Sequence, residues 1–189
     1  MFPCVPYTVC PAKTYQADDG LTVPGRSVVN HCQIVGEVAQ KLIQRYPTEL
    51  GLNLFPAHAA FAAACHDIGK VSPTFVEKLR KNCTSGIDQL PILSINPDLE
   101  KQWGGHSGVS QEAARALKTP NWVPEILGQH HGFSPQLGGR CADAESFGGK
   151  SWQKERGALV DELKHRLKMD WPQITSVAQA RLVAGLTTV

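Results

Sequence analysis

Two adjacent pairs of side chains in this sequence have the chemistry of metal ligands, and the first pair is His66 and Asp67. It follows an apolar run from Ala59 to Cys65. A carboxylate is costly to bury without a polar partner, so Asp67 needs one in such surroundings. A metal ion is such a partner. Imidazole nitrogen and carboxylate oxygen together suit Zn, Mn, Fe, Co or Ni, and the pair alone does not choose among them.

The second pair is His130 and His131, which directly precede Gly132. Neighbouring helical side chains diverge by about 100°, so both reach one ion only where the helix ends and the backbone turns, as Gly132 permits. His106 stands at a predicted loop-to-helix junction, and His31 begins the apolar stripe of a long helix. A lone histidine at a helix end is more often a cap or a satisfied core group. Together, these five histidines and Asp67 lie at the ends or inward faces of four predicted helices, and this arrangement indicates metal binding.

The other histidines and the cysteines lie outside this pattern. His58 falls in the first turns of its predicted helix, and His165 lies in a basic run, so we expect both to be structural. The six cysteines contain no C-x-x-C pair, which predicts free thiols in a reducing compartment.

The longest helical pattern positions His31. Ser27 is the predicted N-cap, and Pro47 marks a stop just beyond Tyr46. Apolar residues then recur with a 3.6-residue period, and this stripe is expected to face the core. The stripe contains Ile34, Val35, Val38, Ala39, Leu42 and Ile43, and begins at His31.

Further helices are expected to carry the other candidate ligands. The second should run from Pro56 to about Ile68, with Gly69 supplying its end. Ser72 and Pro73 predict the N-cap and first position of the third. The remaining patterns predict helices at about 74–82, 107–118, 124–131, 154–168 and 176–188, with an irregular loop at 83–105 and a glycine-rich loop at 132–149.

Length and composition bound the architecture. The chain has 189 residues, 42% hydrophobic and 19% charged, as expected of one compact domain. No apolar run approaches the roughly 18 residues of a membrane span, and no basic leader marks secretion, so we expect a cytoplasmic protein without membrane contact. The net charge of +2 is too small to indicate nucleic acid. The patterns predict an all-α domain over 1–189, with long loops, no substantial sheet, and helices from about residue 27 onward.

The order of motifs resembles that of the HD superfamily of metal-dependent phosphohydrolases. Within it, the sequence is most similar to the HD nuclease domain of the type I CRISPR-associated helicase-nuclease. The resemblance spans about residues 24 to 189. It is carried by His31, the run His66-Asp67-Ile68-Gly69-Lys70, Gly105-His106-Ser107, Gly128-Gln129-His130-His131-Gly132, and the closing stretch Ala180-Arg181-Leu182-Val183-Ala184-Gly185-Leu186.

The resemblance implies an all-helical nuclease domain that holds one or two divalent ions, Mg included, and hydrolyses phosphodiester bonds of single-stranded DNA in antiviral CRISPR interference. Its catalytic residues would be His66, Asp67 and Lys70. It implies two metal sites that share Asp67. One is formed by the residues matching His31, His66 and Asp67 with a late aspartate, and the other by those matching Asp67, His106, His130 and His131.

Lys70 matches a family lysine near the scissile phosphate, where its charge would stabilise the transition state. The alternative interpretation is a cation favourably placed after a helix C-terminus. The sequence contains no G-x-x-x-x-G-K-[ST], so unwinding is expected from helicase domains of the same protein or of a separate chain. An RNA-guided CRISPR surveillance complex is the further partner implied.

The late aspartate of the family lies in an Ala-Asp-Trp segment after the closing helix, where this sequence stops at Val189. We therefore expect a fragment truncated before that ligand and before the helicase domains, with weak or absent metal in the first site. Asp170 and Trp171 precede the closing helix and are followed by Pro172, so we interpret them as a surface coincidence.

Two other functions stay open. An HD-type nucleotidase or cyclic-nucleotide phosphodiesterase would use similar ligands, although the paired histidines and the closing stretch fit the CRISPR nuclease better. A catalytically impaired docking fragment, with structural or relict metal, is the second. A nuclease needs an open groove, whose candidate cations could equally be solubilising. They are Lys78, Arg80, Lys81, Lys150, Lys154 and Arg156.

Overall fold

A computed structural model describes residues 3–47, 54–88, 90–135 and 145–188. Helices dominate these ranges, and none of the helices there is long and apolar enough to cross a membrane. The α-helices described are α1 (Val28–Ile43), α2 (Ala59–Ala64), α3 (Pro73–Asn82), α4 (His106–Ala116), α5 (Val123–Gly128), α6 (Gly149–Leu167) and α7 (Val177–Thr187). Short 3-10 helices cover Tyr7–Val9, Ile68–Lys70, Pro97–Trp103 and Glu145–Phe147.

The sheet is a single small hairpin within the described ranges. Strands β1 (Thr14–Gln16) and β2 (Thr22–Pro24) pair antiparallel, with Tyr15 opposite Val23. Three residues per strand bury little surface, so the hairpin cannot organise a core of its own. The prediction of an all-α domain without a substantial sheet is confirmed.

Helix α2 forms the centre of the core. All six of its residues are buried, and five of them are alanines. Such small side chains let α1 and α7 pack closely against it. A Cβ atom at Gly36 of α1 would lie 2.8 Å from the Cβ of Ala64 and 2.8 Å from Cδ1 of Leu167 on α6. Only glycine therefore fits where α1, α2 and α6 meet.

The core-facing stripe predicted for α1 is only partly correct. Ala39 of that stripe is buried, but Ile34, Val38 and Leu42 are 41%, 39% and 42% exposed. The buried face runs instead through Cys32 and Gly36. Periodicity places a stripe on one side of a helix, but the close approach at Gly36 fixes which side α2 covers. The helix is consequently rotated relative to the prediction.

The second predicted helix is shorter than Pro56 to Ile68. His58 has φ 62°, a left-handed conformation that a helix interior excludes, so the helix begins only at Ala59. After Ala64 the chain leaves the α conformation and forms the 3-10 turn Ile68–Lys70. His66 and Asp67 thus lie in the connection rather than in a helix interior.

The third predicted helix is confirmed together with its cap, since the Ser72 hydroxyl accepts a 3.3 Å hydrogen bond from the Phe75 amide. Helix α6 begins at Gly149 rather than Lys154, directly after Gly148 in a left-handed conformation. The loop predicted at 83–105 contains the 3-10 helix Pro97–Trp103. Much of the predicted glycine-rich loop, residues 136–144, falls outside the described residues.

Candidate metal centre

The turn that carries His66 and Asp67 is fastened to helix α4. The hydroxyl of Ser110, a buried residue of α4, donates a 2.8 Å hydrogen bond to the His66 carbonyl and accepts a 2.9 Å bond from the Gly69 amide. A Cβ at Gly69 would overlap the carbonyl oxygen of His106 and lie 2.5 Å from the Ser110 amide nitrogen. The turn therefore lies directly against the first turn of α4, and only glycine permits this distance.

The carboxylate of Asp67, 2% exposed, lies at the middle of the candidate ligands. Its Oδ2 atom is 2.9 Å from Nε2 of His31 and 3.1 Å from Nε2 of His66. The Nζ atom of Lys70 lies 2.6 Å from the same oxygen. Three elements thus meet at Oδ2: helix α1, the end of α2 and the 3-10 turn.

The other carboxylate oxygen, Oδ1, faces the second group of histidines. Nε2 of His106 lies 3.2 Å from it and Nε2 of His130 3.5 Å. Nε2 of His106 is also 3.0 Å from Nε2 of His131 and 3.4 Å from that of His130. Although His106 is near, Oδ1 is buried and no described residue gives it a hydrogen bond of good geometry.

The donor atoms form two groups that meet the requirements of a metal site. Those of His31, His66 and Asp67 lie within 4.8 Å of one another, and so do those of His106, His130 and His131. Imidazole nitrogens brought together beside a buried carboxylate are typical of divalent transition-metal sites. Oδ1 of Asp67, which faces the second group, also lacks a hydrogen-bond partner among the described residues. The residues present therefore fit the ion that their chemistry implies.

Helix ends orient two of the imidazoles. Nδ1–H of His66 donates to the Ala63 carbonyl at 2.8 Å, and Nδ1–H of His130 donates to the Leu127 carbonyl at 2.7 Å. Carbonyls in the last turn of a helix lack helical partners, so they are free to accept these bonds. With the proton on Nδ1, the lone pair of Nε2 points towards Asp67, as metal ligation requires.

Burial sets the charge state of the centre. It lowers the pKa of His130 to about 3 and, with His106 nearby, lowers the pKa of His131 as well. Burial alone would raise the pKa of Asp67, but the imidazoles of His66, His106 and His31 outweigh it and hold that pKa well below its usual range. At neutral pH the centre thus contains the ionised carboxylate of Asp67 beside the neutral imidazoles of His130 and His131, which are the protonation states of metal ligands.

Lys70 lies at the rim of this centre. Its side chain is 13% exposed and its ammonium contacts Asp67. It also lies 5.5 Å from the centroid of the Phe75 ring. A surface cation after a helix C-terminus would extend into solvent, whereas the Lys70 ammonium lies against the carboxylate of Asp67.

The candidate groove cations differ in availability. Arg80 forms two bonds of 2.8 and 2.7 Å with Glu77, so its guanidinium is engaged. Lys81 lies 4.0 Å from the same carboxylate. Lys78 is exposed, and its Nζ atom lies 5.9 Å from the centroid of the Phe75 ring. Exposed positions on the first turns of α6 are occupied by Lys150 and Lys154.

Arg156 is not a groove residue. It is 0% exposed, and its Nη1 group donates to the carbonyls of Val71 at 2.8 Å and Phe147 at 3.0 Å. Its Nε group donates to Gln153 at 2.8 Å. Burial lowers its pKa to about 9, which still leaves it charged at neutral pH. The helical period of α6 turns this position inward, whereas Lys154, two residues earlier, is outside.

Other candidates lie outside the centre. His58 occupies the N-cap position of α2 without a side-chain hydrogen bond to the helix, and His165 is exposed on α6. Asp170 pairs with Lys164 at the surface, at 2.7 Å. Ser110 belongs to no motif in the sequence. The one hint of its role is that a serine stands between apolar positions of an inward-facing helix. Its role depends on contacts 44 residues away.

Known proteins resemble this chain in sequence family and in fold. A family model described as Cas3, HD domain matches residues 12–189. The crystal structure of a CRISPR-associated protein shares 22% identity over 97% of this chain, with a TM-score of 0.65. That of T. fusca Cas3-ADP shares 20% identity over 97%, with a TM-score of 0.64. This chain covers 22% of each of those two chains. No curated protein matches the sequence.

Proposed function

Because the chain belongs to the Cas3 HD-domain family, we propose that it is a metal-dependent nuclease domain that hydrolyses phosphodiester bonds of single-stranded DNA. The observation that carries the proposal is the position of Asp67, whose two carboxylate oxygens each face a separate group of imidazole nitrogens. One carboxylate placed in this way is suited to link two divalent ions.

We assign one ion to His31, His66 and Asp67, and the other to Asp67, His106, His130 and His131. The first set offers three donor residues and the second four, so the second is expected to bind more tightly. The donors favour Mn, Ni, Co, Fe or Zn over Mg, which prefers oxygen ligands. When bound, two such ions lower the pKa of water and stabilise both the attacking and the leaving oxygen of an in-line displacement.

The protein itself contributes orientation and charge. The Ala63 and Leu127 carbonyls fix His66 and His130 with Nε2 towards the reaction centre. Lys70 brings a positive charge to the rim of the cluster, where a phosphate would meet it. A preorganised cation at that point stabilises the charge that develops on the phosphoryl oxygens.

We further propose that the domain acts within a longer machinery for antiviral CRISPR interference. The support is that this chain covers 22% of the T. fusca Cas3-ADP chain it matches. Helicase domains of the same protein or of a separate chain would then supply the single strand. An RNA-guided surveillance complex would recruit them to the target DNA.

Metal analysis combined with cleavage of a labelled strand tests the nuclease proposal. Wild-type protein should bind Mn²⁺ and cut single-stranded DNA in preference to duplex. Asp67→Asn should lose metal and at least a hundredfold in cleavage rate. Asp170→Asn, the matched control at an exposed carboxylate, should retain both. Metal and cleavage unchanged in Asp67→Asn would contradict the assignment.

Two further measurements separate the alternatives. Hydrolysis of nucleotides or cyclic nucleotides, without strand cleavage, would identify a small-molecule phosphohydrolase instead. If EDTA unfolds the protein, as measured by circular dichroism, the metal is structural and a docking module is favoured. Loss of cleavage with the fold intact supports catalysis.

A further inference from the structure

A row of aromatic rings leads from the interior through the candidate metal centre to solvent. The Phe75 and His106 ring centroids are 5.2 Å apart, and those of His106 and His131 are 4.9 Å apart. The Phe133 ring lies beyond His131 at 6.5 Å, with an interplanar angle of only 20°. Exposure rises from 4% at Phe75 to 54% at Phe133. The row thus ends in a ring that core packing does not require.

The backbone directs Phe133 to this position. Helix α5 ends at Gly128, and Gly132 adopts φ +84°, which turns the chain sharply after His131. Phe133 follows the turn and lies against the edge of the cluster. A single exposed apolar side chain is common on protein surfaces. Phe133 is distinguished by stacking on His131, a proposed metal ligand.

Positive charge lies near Phe75, at the other end of the same row. Lys70 and Lys78 lie 5.5 and 5.9 Å from the centroid of the Phe75 ring. Lys78 is exposed, whereas Lys70 is directed towards Asp67. Cations that follow a phosphate backbone, together with an exposed aromatic ring that stacks a base, are the recurring elements of single-strand binding sites.

We propose that Phe133 is a stacking platform for a nucleobase of the single strand whose phosphodiester lies at the metal centre. The inference rests on the proposed nuclease function. Stacking on a phenyl ring accepts any base, because every base has a π face, so Phe133 would position the strand without reading its sequence. Lys78 would bind a phosphate on the other side of the scissile bond.

Steady-state cleavage of a labelled single strand tests the proposal. Phe133→Ala should raise KM about tenfold, within the range measured for the loss of one stacked base, and leave kcat and metal content unchanged. Phe133→Trp should restore the KM. Tyr15→Ala is the matched control, since Tyr15 is an aromatic residue with the same 54% exposure, located on β1. It should change neither constant.

A strand with abasic positions next to the scissile bond separates stacking from a structural effect. Wild type should show a raised KM on this strand, and Phe133→Ala should show no further increase. An equal loss on normal and abasic strands would overturn stacking, and so would an unchanged KM in Phe133→Ala.

Strand binding by fluorescence anisotropy distinguishes failure of this inference from failure of the proposed function. With the Asp67→Asn protein, addition of Phe133→Ala should weaken binding about tenfold. A wild type that binds but does not cut would overturn the nuclease proposal alone. Unchanged affinity after loss of the ring would overturn the stacking platform alone, and no strand binding at all would overturn both.

Discussion

The hydroxyl of Ser110 donates a 2.8 Å hydrogen bond to the carbonyl of His66, across 44 residues of sequence. The same oxygen accepts the amide of Gly69. One buried side chain of α4 therefore holds both ends of the turn that presents Asp67. Because α4 itself begins with His106, this contact fixes the distance between the two groups of histidines.

Replacing Ser110 with alanine should loosen the turn. It leaves the His66 carbonyl and the Gly69 amide without this buried partner. Loss of a residue that orients metal ligands typically lowers metal affinity or activity about 10–100-fold. Isothermal titration with Mn²⁺ measures the effect. Ser176→Ala removes a serine whose hydroxyl accepts the Gln179 amide at the start of α7, far along the chain from the turn. It should cost about 1 kcal/mol of stability and no metal affinity. Equal affinities in both variants would refute the positioning role.

Gly69→Ala should destabilise the whole domain. Its Cβ would collide with the His106 carbonyl, a backbone atom that cannot move alone. We expect a loss of about 3 kcal/mol or more and a fall in Tm of about 6–12 °C. Gly185→Ala is the control, because no heavy atom lies within 4 Å of a Cβ there. It should be neutral or slightly stabilising in helix α7. Differential scanning fluorimetry compares the two, and similar Tm values would contradict the close packing.

The sequence predicted which side chains lie close together around Asp67, because the chemistry of these side chains is local. His66 and Asp67 are adjacent, and the cost of burying an unpartnered carboxylate can be inferred without knowing the fold. The structure brings both together with His31, His106, His130 and the proposed Lys70. Adjacent residues at a helix end converge because the backbone turns there, as Gly132 indicated.

What the sequence did not predict depends on distant contacts. Ser110 has a role only because the turn lies against α4. Ile34 and Cys32 belong to overlapping apolar patterns, and the packing at Gly36 decides which of them is buried. Arg156 was predicted in a groove from its charge, but hydrogen bonds to the carbonyls of Val71 and Phe147 hold it in the interior.

Stability of the metal-free protein should fall as the pH is lowered from 7 to 4.5. The pKa of His130 is about 3 in the folded state and 6.5 as an ordinary value. The unfolded chain therefore binds a proton that the folded chain does not, and stability decreases by up to about 1.4 kcal/mol per pH unit from this group. Asp67 adds little in this window, because its ordinary pKa is 3.8 and its folded pKa is lower still.

Urea denaturation in EDTA at several pH values measures this slope. His130→Gln should make the slope of the unfolding free energy against pH shallower, by the equivalent of about one bound proton. His165→Gln, at an exposed position of α6, is the control and should leave the slope as in wild type. A slope that does not change in His130→Gln would show that His130 is not held neutral by the fold.

Arg156→Met should reduce stability without affecting strand binding. The substitution keeps much of the side-chain volume but leaves the carbonyls of Val71 and Phe147 without their donor, at a cost of about 1–3 kcal/mol for each buried acceptor. Removing a buried charge recovers some desolvation energy, so we expect a net loss of about 2–4 kcal/mol in urea denaturation.

The salt dependence of strand binding decides whether Arg156 also contacts DNA. A cation that binds a phosphate contributes about 0.7 to the slope of log K against log salt for single strands. Arg156→Met should leave that slope unchanged, because the guanidinium lies in the interior, hydrogen-bonded to the carbonyls of Val71 and Phe147. Lys154→Ala, two residues earlier and exposed, should leave stability unchanged. A shallower slope with unchanged stability in Arg156→Met would instead place Arg156 on the DNA path.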